Sequence, residues 1–243
     1  MSVFPRLPPV DRHPFIPETI WVVRDMRYVP VSRASDPGEW ERLVASDNAI
    51  TTQLKDGTWP VSSSSAPFIM AEMIDALRLK PGMRVLEIGT GTGYNAACLA
   101  ALGTEVVSVE IDPAVASHAR AALRAAGYPQ VTVITGDGEQ GAPDAAPFDR
   151  VLATAAAHTI PYAWVEQTRD GGLIVAPYTG QGHRRALLVL TVSGGAASGQ
   201  PEGEASFMPL RGQKLTQPEL DAIETRPGLR IEISPSGQRL ITS

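Results

Sequence analysis

The stretch Val85-Leu86-Glu87-Ile88-Gly89-Thr90-Gly91-Thr92-Gly93 decides the fold of this chain. Its aliphatic residues surround a single acid and end abruptly at a glycine, which is typical of a buried strand in a parallel sheet. The alanine- and leucine-rich run over 94–102 predicts a helix that packs back on this strand. Glycines are needed between the two because the chain must reverse tightly and let a ligand approach its backbone. The stretch therefore predicts a ligand at the carboxyl end of this strand.

The chain on either side of this stretch alternates between apolar runs and helical patterns. Further strands are predicted over 106–110, 131–134, 151–154 and 173–176, and helices over 67–78, 113–126 and 162–168. This succession implies a parallel sheet with helices on both faces. The run 185–192 predicts a long strand, 193–204 a loop, and 205–210 a segment that pairs back antiparallel at the sheet edge. The run 229–233 predicts a further short strand without an assigned place.

The first sixty residues differ in character, since prolines recur from Pro5 to Pro30 and break any long element. We expect residues 1–60 to form an extended arm packed on the body, with one short helix over 36–44 that starts at an Asp36 cap. The stretch 47–60 is expected to be irregular around an Asp56-Gly57 turn. The expected division is an arm over 1–60, a main domain over 61–212 and a C-terminal extension over 213–243.

Composition restricts the class of protein. With 243 residues and 43% hydrophobic content, the chain can bury a full core. A formal charge of −5 argues against a general nucleic-acid binder, because such proteins cluster Lys and Arg. Cys98 is the only cysteine, so neither a disulfide nor a cysteine-rich metal site is expected. No apolar signal run or membrane-spanning stretch is present, so we expect a cytoplasmic protein without a membrane partner.

Three acidic positions accompany the glycine turn. Its Gly-x-Gly-x-Gly spacing differs from that of dinucleotide enzymes, in which the third glycine comes one residue later. Glu110 ends the second strand, where a carboxylate can accept both hydroxyls of a ribose, and Asp137-Gly138 follows the third strand. A phosphate-binding lysine is missing, and Glu87 is a spare acid that could hold an amino group directly or through water. The pattern favours a cationic, unphosphorylated nucleoside such as S-adenosylmethionine, although Glu87 could also be a solvated strand-end acid.

Several motifs together resemble the protein-L-isoaspartate O-methyltransferase family over about residues 61 to 178, and the stretches 11–17 and 185–192 fit it more loosely. They are Leu86-Glu87-Ile88-Gly89-Thr90-Gly91-Thr92-Gly93-Tyr94, Gly136-Asp137-Gly138, Ala146-Pro147-Phe148-Asp149-Arg150-Val151, Thr154-Ala155-Ala156 and Gly171-Gly172. The resemblance implies an α/β, Rossmann-like class I methyltransferase fold. Its mixed seven-stranded sheet would be parallel with an antiparallel edge and flanked by helices. It also implies S-adenosylmethionine as donor and a peptide carboxylate as acceptor.

The resemblance also assigns site residues. Ser65 matches the family serine beside the transferred methyl, where it would position the acceptor; a plain helix cap is the alternative. The expected donor-binding residues are Glu87, Gly89, Thr90, Gly91, Gly93, Glu110, Ile111, Asp137, Gly138 and Thr154. The expected acceptor-binding residues are Ser64, Ala66, Trp59, Ala155 and His158. His158 could instead be an ordinary loop residue, and Trp59 a packing residue.

One departure bears on the substrate. Repair enzymes of the family carry a Gly-Gln-Thr-Ile-Ser style segment where this chain has Trp59-Pro60-Val61-Ser62-Ser63-Ser64-Ser65. This feature and the extra terminal segments resemble homologues that accompany peptide-maturation enzymes and esterify a chosen Asp of a ribosomally made, cyclised peptide, leading to aspartimide or isoaspartate. The alternatives are repair of L-isoaspartyl residues in damaged proteins and, in another class, an inactive nucleoside-binding interaction protein. A further alternative is a nicotinamide dehydrogenase.

Overall fold

The computed structural model describes residues 7–226 and 228–242. The first part of the chain forms a four-stranded antiparallel sheet in the order β2-β1-β3-β4, with one helix. Its elements are β1 (Thr19–Arg24), β2 (Arg27–Ser32), α1 (Pro37–Val44), β3 (Ile50–Lys55) and β4 (Trp59–Ser64).

This sheet replaces the expected extended arm, and the prediction of an irregular stretch over 47–60 is wrong. The prolines mislead because Pro30 lies in β2 and Pro60 in β4, the two edge strands, where a missing N–H leaves no ladder partner unsatisfied. The predicted turn is nevertheless present. Asp56 and Gly57 adopt φ of +52° and +68°, as tight hairpin turns require, and the Thr58 amide donates to the Lys55 carbonyl at 3.2 Å.

The short helix predicted over 36–44 is confirmed as α1. Asp36 caps it by accepting a hydrogen bond from the Glu39 amide at 3.0 Å. Trp40 and Val44 on its inner face are fully buried against the N-terminal sheet, and the Trp40 indole donates to the Pro17 carbonyl at 3.1 Å. The N-terminal sheet therefore has a small hydrophobic core of its own.

The rest of the chain forms a nine-stranded mixed sheet with helices. Its elements are α2 (Pro67–Ala76), β5 (Arg84–Ile88), α3 (Tyr94–Ala101), β6 (Glu105–Glu110), α4 (Pro113–Ala125), β7 (Thr132–Thr135), β8 (Phe148–Ala153), α5 (Tyr162–Glu166), β9 (Thr168–Gly180), β10 (His183–Ser193), β11 (Ala196–Glu204), α6 (Gln217–Asp221), β12 (Leu229–Ser234) and β13 (Gly237–Thr242). The strand order is β13-β12-β11-β10-β9-β8-β5-β6-β7.

The half of this sheet from β9 to β7 is parallel, as predicted. Successive residues of β5 pack into different clusters, as the pleat requires. Val85 joins the cluster that contains Met73 of α2, whereas Leu86 joins the one that contains Trp164 of α5. Helices therefore cover both faces of the sheet, and the predicted α/β class is confirmed. Because β5 pairs with both β6 and β8, the order of strands reverses at its carboxyl end.

The predicted count of seven strands is wrong. The loop expected over 193–204 is mostly β11, which returns from β10 through Gly194 and Gly195, both left-handed, with φ of +59° and +75°. Small residues suit this strand, since a Cβ on Gly199 would lie 1.9 Å from the Val189 carbonyl oxygen. The strands β12 and β13 then extend the antiparallel edge. Residues 205–210 form no strand and make only an isolated bridge, Ala156 to Pro209.

The division into arm, main domain and extension stays a prediction. Its first boundary, after residue 60, falls inside β4, and the segment after 212 supplies two strands of the main sheet. Across the described parts of the chain, 7–226 and 228–242, every helix is too short or too polar to cross a membrane.

Candidate active site

A cavity of about 550 Å³ opens at the carboxyl end of β5, where the strand order reverses. Open α/β sheets bind ligands at this point, and the volume lies within the range of about 300–1,000 Å³ that is usual for small-molecule sites. One wall comes from the glycine turn, Glu110 and the Asp137-Gly138 pair. The rest of the wall includes the serine run 62–65 and residues 204–211. Most of the residues predicted from the sequence therefore meet at one cavity.

The glycine turn has the backbone shape that was expected of it. Gly89 and Gly91 both adopt left-handed conformations, with φ of +94° and +53°. A Cβ on Gly89 would lie 2.7 Å from Thr154 Oγ1, and that hydroxyl donates to the Gly89 carbonyl at 2.6 Å. Thr154 thus lines the cavity and also holds the turn in place, which makes glycine necessary at position 89.

Gly93, a predicted donor-binding residue, is not among the residues that line the cavity, so its contact with the donor stays a prediction. Its φ is +89°, and a Cβ would lie 3.2 Å from Leu123 Cγ and 3.5 Å from Ala119 Cβ, both on α4. The third glycine of the turn therefore permits close packing between the start of α3 and α4. The same spacing suits a helix-packing glycine as well as a ligand-binding one, so the sequence alone does not separate the two.

Glu110, a predicted donor-binding residue, has a fixed carboxylate at the cavity wall. It ends β6, is 8% exposed and lines the cavity. Its two carboxylate oxygens accept from the amides of Gly91 at 2.9 Å and Asp112 at 3.0 Å. Each oxygen retains a lone pair, because a carboxylate has about four acceptor positions. Glu110 is therefore fixed in orientation and still able to accept two hydroxyl groups.

Asp137 and Gly138 form the end of the same wall, together with the half-exposed Ile111. One Asp137 oxygen accepts from the Glu139 amide at 3.0 Å, which leaves the other for a ligand donor. A Cβ on Gly138 would lie 2.5 Å from Ile88 Cγ2, so only glycine fits there. The indole of Trp164 donates to the Gly138 carbonyl at 2.8 Å and fixes this turn from below. An apolar side chain beside a hydrogen-bond acceptor suits a flat heterocycle with an exocyclic amine.

Glu87 is buried and does not line the cavity, so its predicted interaction with the donor, direct or through water, stays a prediction. It is 0% exposed, and both of its oxygens are occupied. Asn95 Nδ2 donates to Oε1 at 2.6 Å, and Ser108 Oγ donates to Oε2. The hydroxyls of Ser108 and Thr90 are 2.6 Å apart, which links Glu87 to the glycine turn. Burial raises the pKa of Glu87 to about 7, with a further contribution from the Glu110 charge and opposition from the two hydrogen bonds.

The serine run, which was predicted to bind the acceptor, lines the cavity. Ser64 is buried, whereas Ser65 is half-buried and faces the cavity next to Ala66. The helix-cap alternative for Ser65 is not found, since Ala66 occupies the cap position of α2 and Asp47 accepts from the Phe68 amide at 2.8 Å. Within residues 7–226 and 228–242, no protein group hydrogen-bonds with the Ser65 hydroxyl. That hydroxyl is free to bind a ligand.

Two predicted acceptor residues lie away from the cavity, whereas Ala155 lines it. Trp59 is 70% exposed at the start of β4. His158 is held elsewhere: its amide donates to Gln213 Oε1 at 2.7 Å, and its Nδ1 lies 3.3 Å from the Thr179 carbonyl. Trp59 is close in sequence to the serine run, and His158 is close in sequence to β8. Neither side chain is part of the cavity wall.

The sequence interpretation missed some of the wall. Asn48 and Thr51 of the N-terminal sheet region contribute to it, as do Phe207 and Met208 in the segment after β11. That segment is held beside the cavity by backbone hydrogen bonds from Ala156 to Met208 and from Leu210 to Ala156, at 2.8 and 2.9 Å. Nothing in the pattern of these residues indicates a site, because they enter the cavity wall only through tertiary packing.

Comparison with known families decides the identity of the fold. The protein-family model described as protein-L-isoaspartate(D-aspartate) O-methyltransferase (PCMT) matches residues 39–215. The chain belongs to this family. A protein-L-isoaspartate O-methyltransferase of Gloeobacter violaceus is 42% identical over 163 residues, which are 66% of this chain and 80% of that protein. One of Methanoculleus marisnigri is 44% identical over 149 residues, 61% of this chain and 67% of that protein.

Two solved structures share the fold. A protein-L-isoaspartate O-methyltransferase has a TM-score of 0.65 at 24% identity, covering 84% of this chain and 77% of its own. A PCMT of Plasmodium falciparum, solved in complex with S-adenosyl-L-homocysteine, has a TM-score of 0.58 at 18% identity, covering 70% of this chain and 83% of its own.

Membership of the PCMT family makes this chain an S-adenosylmethionine-dependent protein carboxyl O-methyltransferase. The predicted enzyme class, cofactor and class I methyltransferase fold are thereby confirmed. The residues present fit that cofactor, since the cavity joins a left-handed glycine turn to a fixed carboxylate with spare lone pairs. The roles of individual residues stay predictions. The alternative of an inactive interaction protein has no support from this family.

Proposed function

We propose that this PCMT-family chain esterifies a side-chain carboxylate of a polypeptide, which it holds against Ser65. One observation carries the proposal: Ser65 lines the same cavity as Glu110, Asp137 and the glycine turn. In this proposal Glu110 accepts the ribose hydroxyls, and Asp137 accepts from the adenine amine. Gly89 and Gly91 allow close approach of the backbone, and Ser64 and Ala66 shape the acceptor side.

The chemistry needs orientation rather than acid–base catalysis. S-adenosylmethionine supplies a methyl group on a positively charged sulfur, which leaves without protonation. The acceptor carboxylate is already ionised at neutral pH, so the protein need not remove a proton. What the chain must do is strip water from that anion and aim one oxygen at the methyl carbon. Holding reactants in line can supply several kcal/mol, and the unpaired Ser65 hydroxyl can donate to the second carboxylate oxygen and fix that line.

The preferred acceptor in this proposal is an Asp side chain in a modified, ribosomally made peptide. Two features support it. The serine run replaces the Gly-Gln-Thr-Ile-Ser style segment of repair enzymes. The strands β1, β2, β12 and β13 lie outside the region 39–215 that matches the family model. Segments that flank the matched region on both sides suit selection of one defined peptide.

The product of such a reaction would rearrange without further help from the protein. Esterification converts a poor leaving group into methoxide. The next backbone nitrogen then attacks the ester carbonyl, methanol leaves, and an aspartimide ring forms. Hydrolysis of that ring gives isoaspartate or aspartate. The peptide would therefore gain a methyl group and then lose methanol, a net loss of water relative to the starting peptide.

The second candidate is repair of L-isoaspartyl residues in damaged proteins. The family description and the names of the relatives support it directly. The same cavity serves both candidates, since an isoaspartyl carboxylate and an Asp carboxylate need the same orientation towards the donor. Only the fit of the surrounding peptide differs.

The test uses one peptide sequence in three forms: linear with Asp, cyclised through a side-chain link with the same Asp, and linear with isoaspartate at that position. Each is incubated with the enzyme and S-adenosylmethionine and followed by mass spectrometry. Methyl gain and then net water loss on the cyclised Asp peptide supports peptide maturation. Turnover confined to the isoaspartyl form would instead establish repair. The Ser65→Ala variant should lose most of its turnover, whereas Ser236→Ala, in the exposed turn between β12 and β13, should match the wild type.

A further inference from the structure

Arg12 is an almost fully buried arginine in the segment that precedes β1. It is 6% exposed and lies just before a short helical turn, His13–Phe15. Buried arginines are rare unless they are paired. The cavity wall begins directly beyond the groups that Arg12 contacts, although Arg12 itself does not line it. Its contacts therefore need an explanation.

All hydrogen bonds of the Arg12 guanidinium go to two short segments. On the serine run, Nε donates to Ser64 Oγ at 3.1 Å, and Nη2 donates to the carbonyls of Ser64 and Ser65 at 3.1 and 2.9 Å. On the segment after α1, Nη1 donates to the carbonyls of Ser46 at 3.2 Å and Asn48 at 3.1 Å, and Nη2 also reaches Asn48. The planar fork thus clamps the residue that bears the acceptor-side hydroxyl.

The charge of Arg12 has no ion-pair partner among residues 7–226 and 228–242. Burial lowers its pKa to about 10, so the guanidinium is still charged at neutral pH. The Cζ atom of Arg12 lies 5.8 Å from the centroid of the Tyr94 ring. The carboxylate that acts on the pKa of Arg12 is that of Asp47, which accepts from the Phe68 amide at the start of α2. A cation behind the acceptor wall favours an anion in the cavity, because the interior screens charge less than water does.

We propose that Arg12 is a positioning residue for methyl transfer, which fixes the backbone of Ser65 and presents positive charge behind the acceptor carboxylate. The inference rests on the proposed function of Ser65. It explains why a buried cation is bound by carbonyls and a hydroxyl rather than by a carboxylate. A carboxylate bonded directly to the guanidinium would weaken the field that an anionic acceptor needs far more than the more distant Asp47 does.

The test compares Arg12→Lys with Arg150→Lys. Arg150 also donates to backbone carbonyls, those of Leu77 and Asp149, but lies away from the cavity, and so it is a matched control. Lysine keeps the charge but cannot reproduce the fork. Misplacing a reacting group by about 1 Å can cost about a hundredfold in rate, so we expect kcat of Arg12→Lys to fall between about ten- and a hundredfold. KM for S-adenosylmethionine should not change.

Two further measurements separate positioning from a general loss of structure. In hydrogen–deuterium exchange, the peptide covering 62–66 should exchange faster in Arg12→Lys and not in Arg150→Lys. In the Ser65→Ala background, Arg12→Lys should lower kcat little further, because both changes act through the same hydroxyl. If Arg12→Lys does not fold, Ser64→Ala, which removes only the Nε contact, should show a smaller effect in the same direction.

The inference is overturned if Arg12→Lys, or Ser64→Ala in its place, turns over like the wild type. It is equally overturned by a second result. In that result, the fold-losses in kcat of Arg12→Lys and Ser65→Ala multiply in the double variant, and the affinity for S-adenosylmethionine also falls. The exchange measurement needs no turnover. An inactive wild type would thus refute the proposed function, and unchanged exchange over 62–66 would separately refute the clamp.

Discussion

Replacing the buried acid Glu87 by glutamine should change how the stability of the protein depends on pH. Glu87 lies below the glycine turn, fully buried, and accepts hydrogen bonds from Asn95 and Ser108. Glutamine has nearly the same shape and can still accept from Asn95. The Ser108 hydroxyl can turn to accept from the new amide, since its bond with Thr90 allows either direction. The substitution therefore removes a titrating group with little change in packing.

The magnitude follows from the raised pKa of Glu87. The pKa is about 7 in the folded chain and 4.5 in the unfolded chain. At about 1.4 kcal/mol for each pH unit, this difference corresponds to about 3 kcal/mol. Below pH 4.5 the acid is protonated in both states and costs nothing. Between the two values only the unfolded chain has lost its proton, so stability falls as pH rises, and above about pH 7 the cost is constant.

The assay is urea unfolding of wild type and Glu87→Gln without cofactor, at about pH 4.5 and about pH 8. All other titrating groups cancel in the difference between the two proteins. We expect the free energy of unfolding of Glu87→Gln to gain about 3 kcal/mol relative to the wild type over this range. Parallel pH profiles would refute the reasoning, because they would mean that Glu87 is either solvated or ionised at no cost. A relative gain for the wild type would refute it more strongly.

Three further outcomes are expected. Gly89→Ala should weaken binding of S-adenosylmethionine by about tenfold or more, measured by calorimetry. A left-handed alanine costs about 1–2 kcal/mol, and its Cβ would displace Thr154. The control is Gly57→Ala, at a position that is also left-handed but lies in open space, and it should leave the affinity unchanged. Asp47→Ala should lower the free energy of unfolding by about 1 kcal/mol, because the Phe68 amide loses its cap; an unchanged urea midpoint would contradict this. The Cys98 thiol is buried, with its pKa raised to about 12 by burial, and so it should react with a maleimide near pH 8 only after unfolding; labelling of the folded protein would be evidence against this packing.

The parallel half of the fold was predictable because its signals are local. A short apolar strand that ends in Gly89 requires a turn, and alternating strands and helices admit few topologies. Adjacent residues such as Val85 and Leu86 enter opposite cores, as a two-sided parallel sheet demands. The N-terminal sheet was not predictable, since Pro30 and Pro60 are tolerated only because tertiary structure places them in edge strands. The edge position of a strand is not encoded nearby in the sequence.

The site, like the fold, has residues that could be predicted from the sequence and residues that could not. Glu110, Asp137 and Ser65 were predictable because each stands at the end of a recognisable strand or run. Glu87 was assigned a ligand contact because its burial depends on Asn95 and Ser108, whose side chains meet it only in the folded chain.

Contacts made to backbone groups cannot be assigned from the sequence, even though the stretch 11–17 loosely resembles the family. Arg12 was not assigned a role, since four of its acceptors are carbonyl oxygens, which every residue has. The position of His158 could not be predicted for a similar reason, because Gln213, far along the chain, accepts a hydrogen bond from its amide.

The most direct test of the central claim uses S-adenosylmethionine with a deuterated methyl group and the peptide set described above. The account predicts that the deuterated methyl appears on an acceptor peptide as an ester at Asp or isoaspartate. This ester should be released as methanol by mild base, and Ser65→Ala should sharply reduce its formation. Label in a base-stable linkage, or full labelling by Ser65→Ala, would contradict the assignment of this cavity to carboxyl methylation with Ser65 as the acceptor-positioning residue.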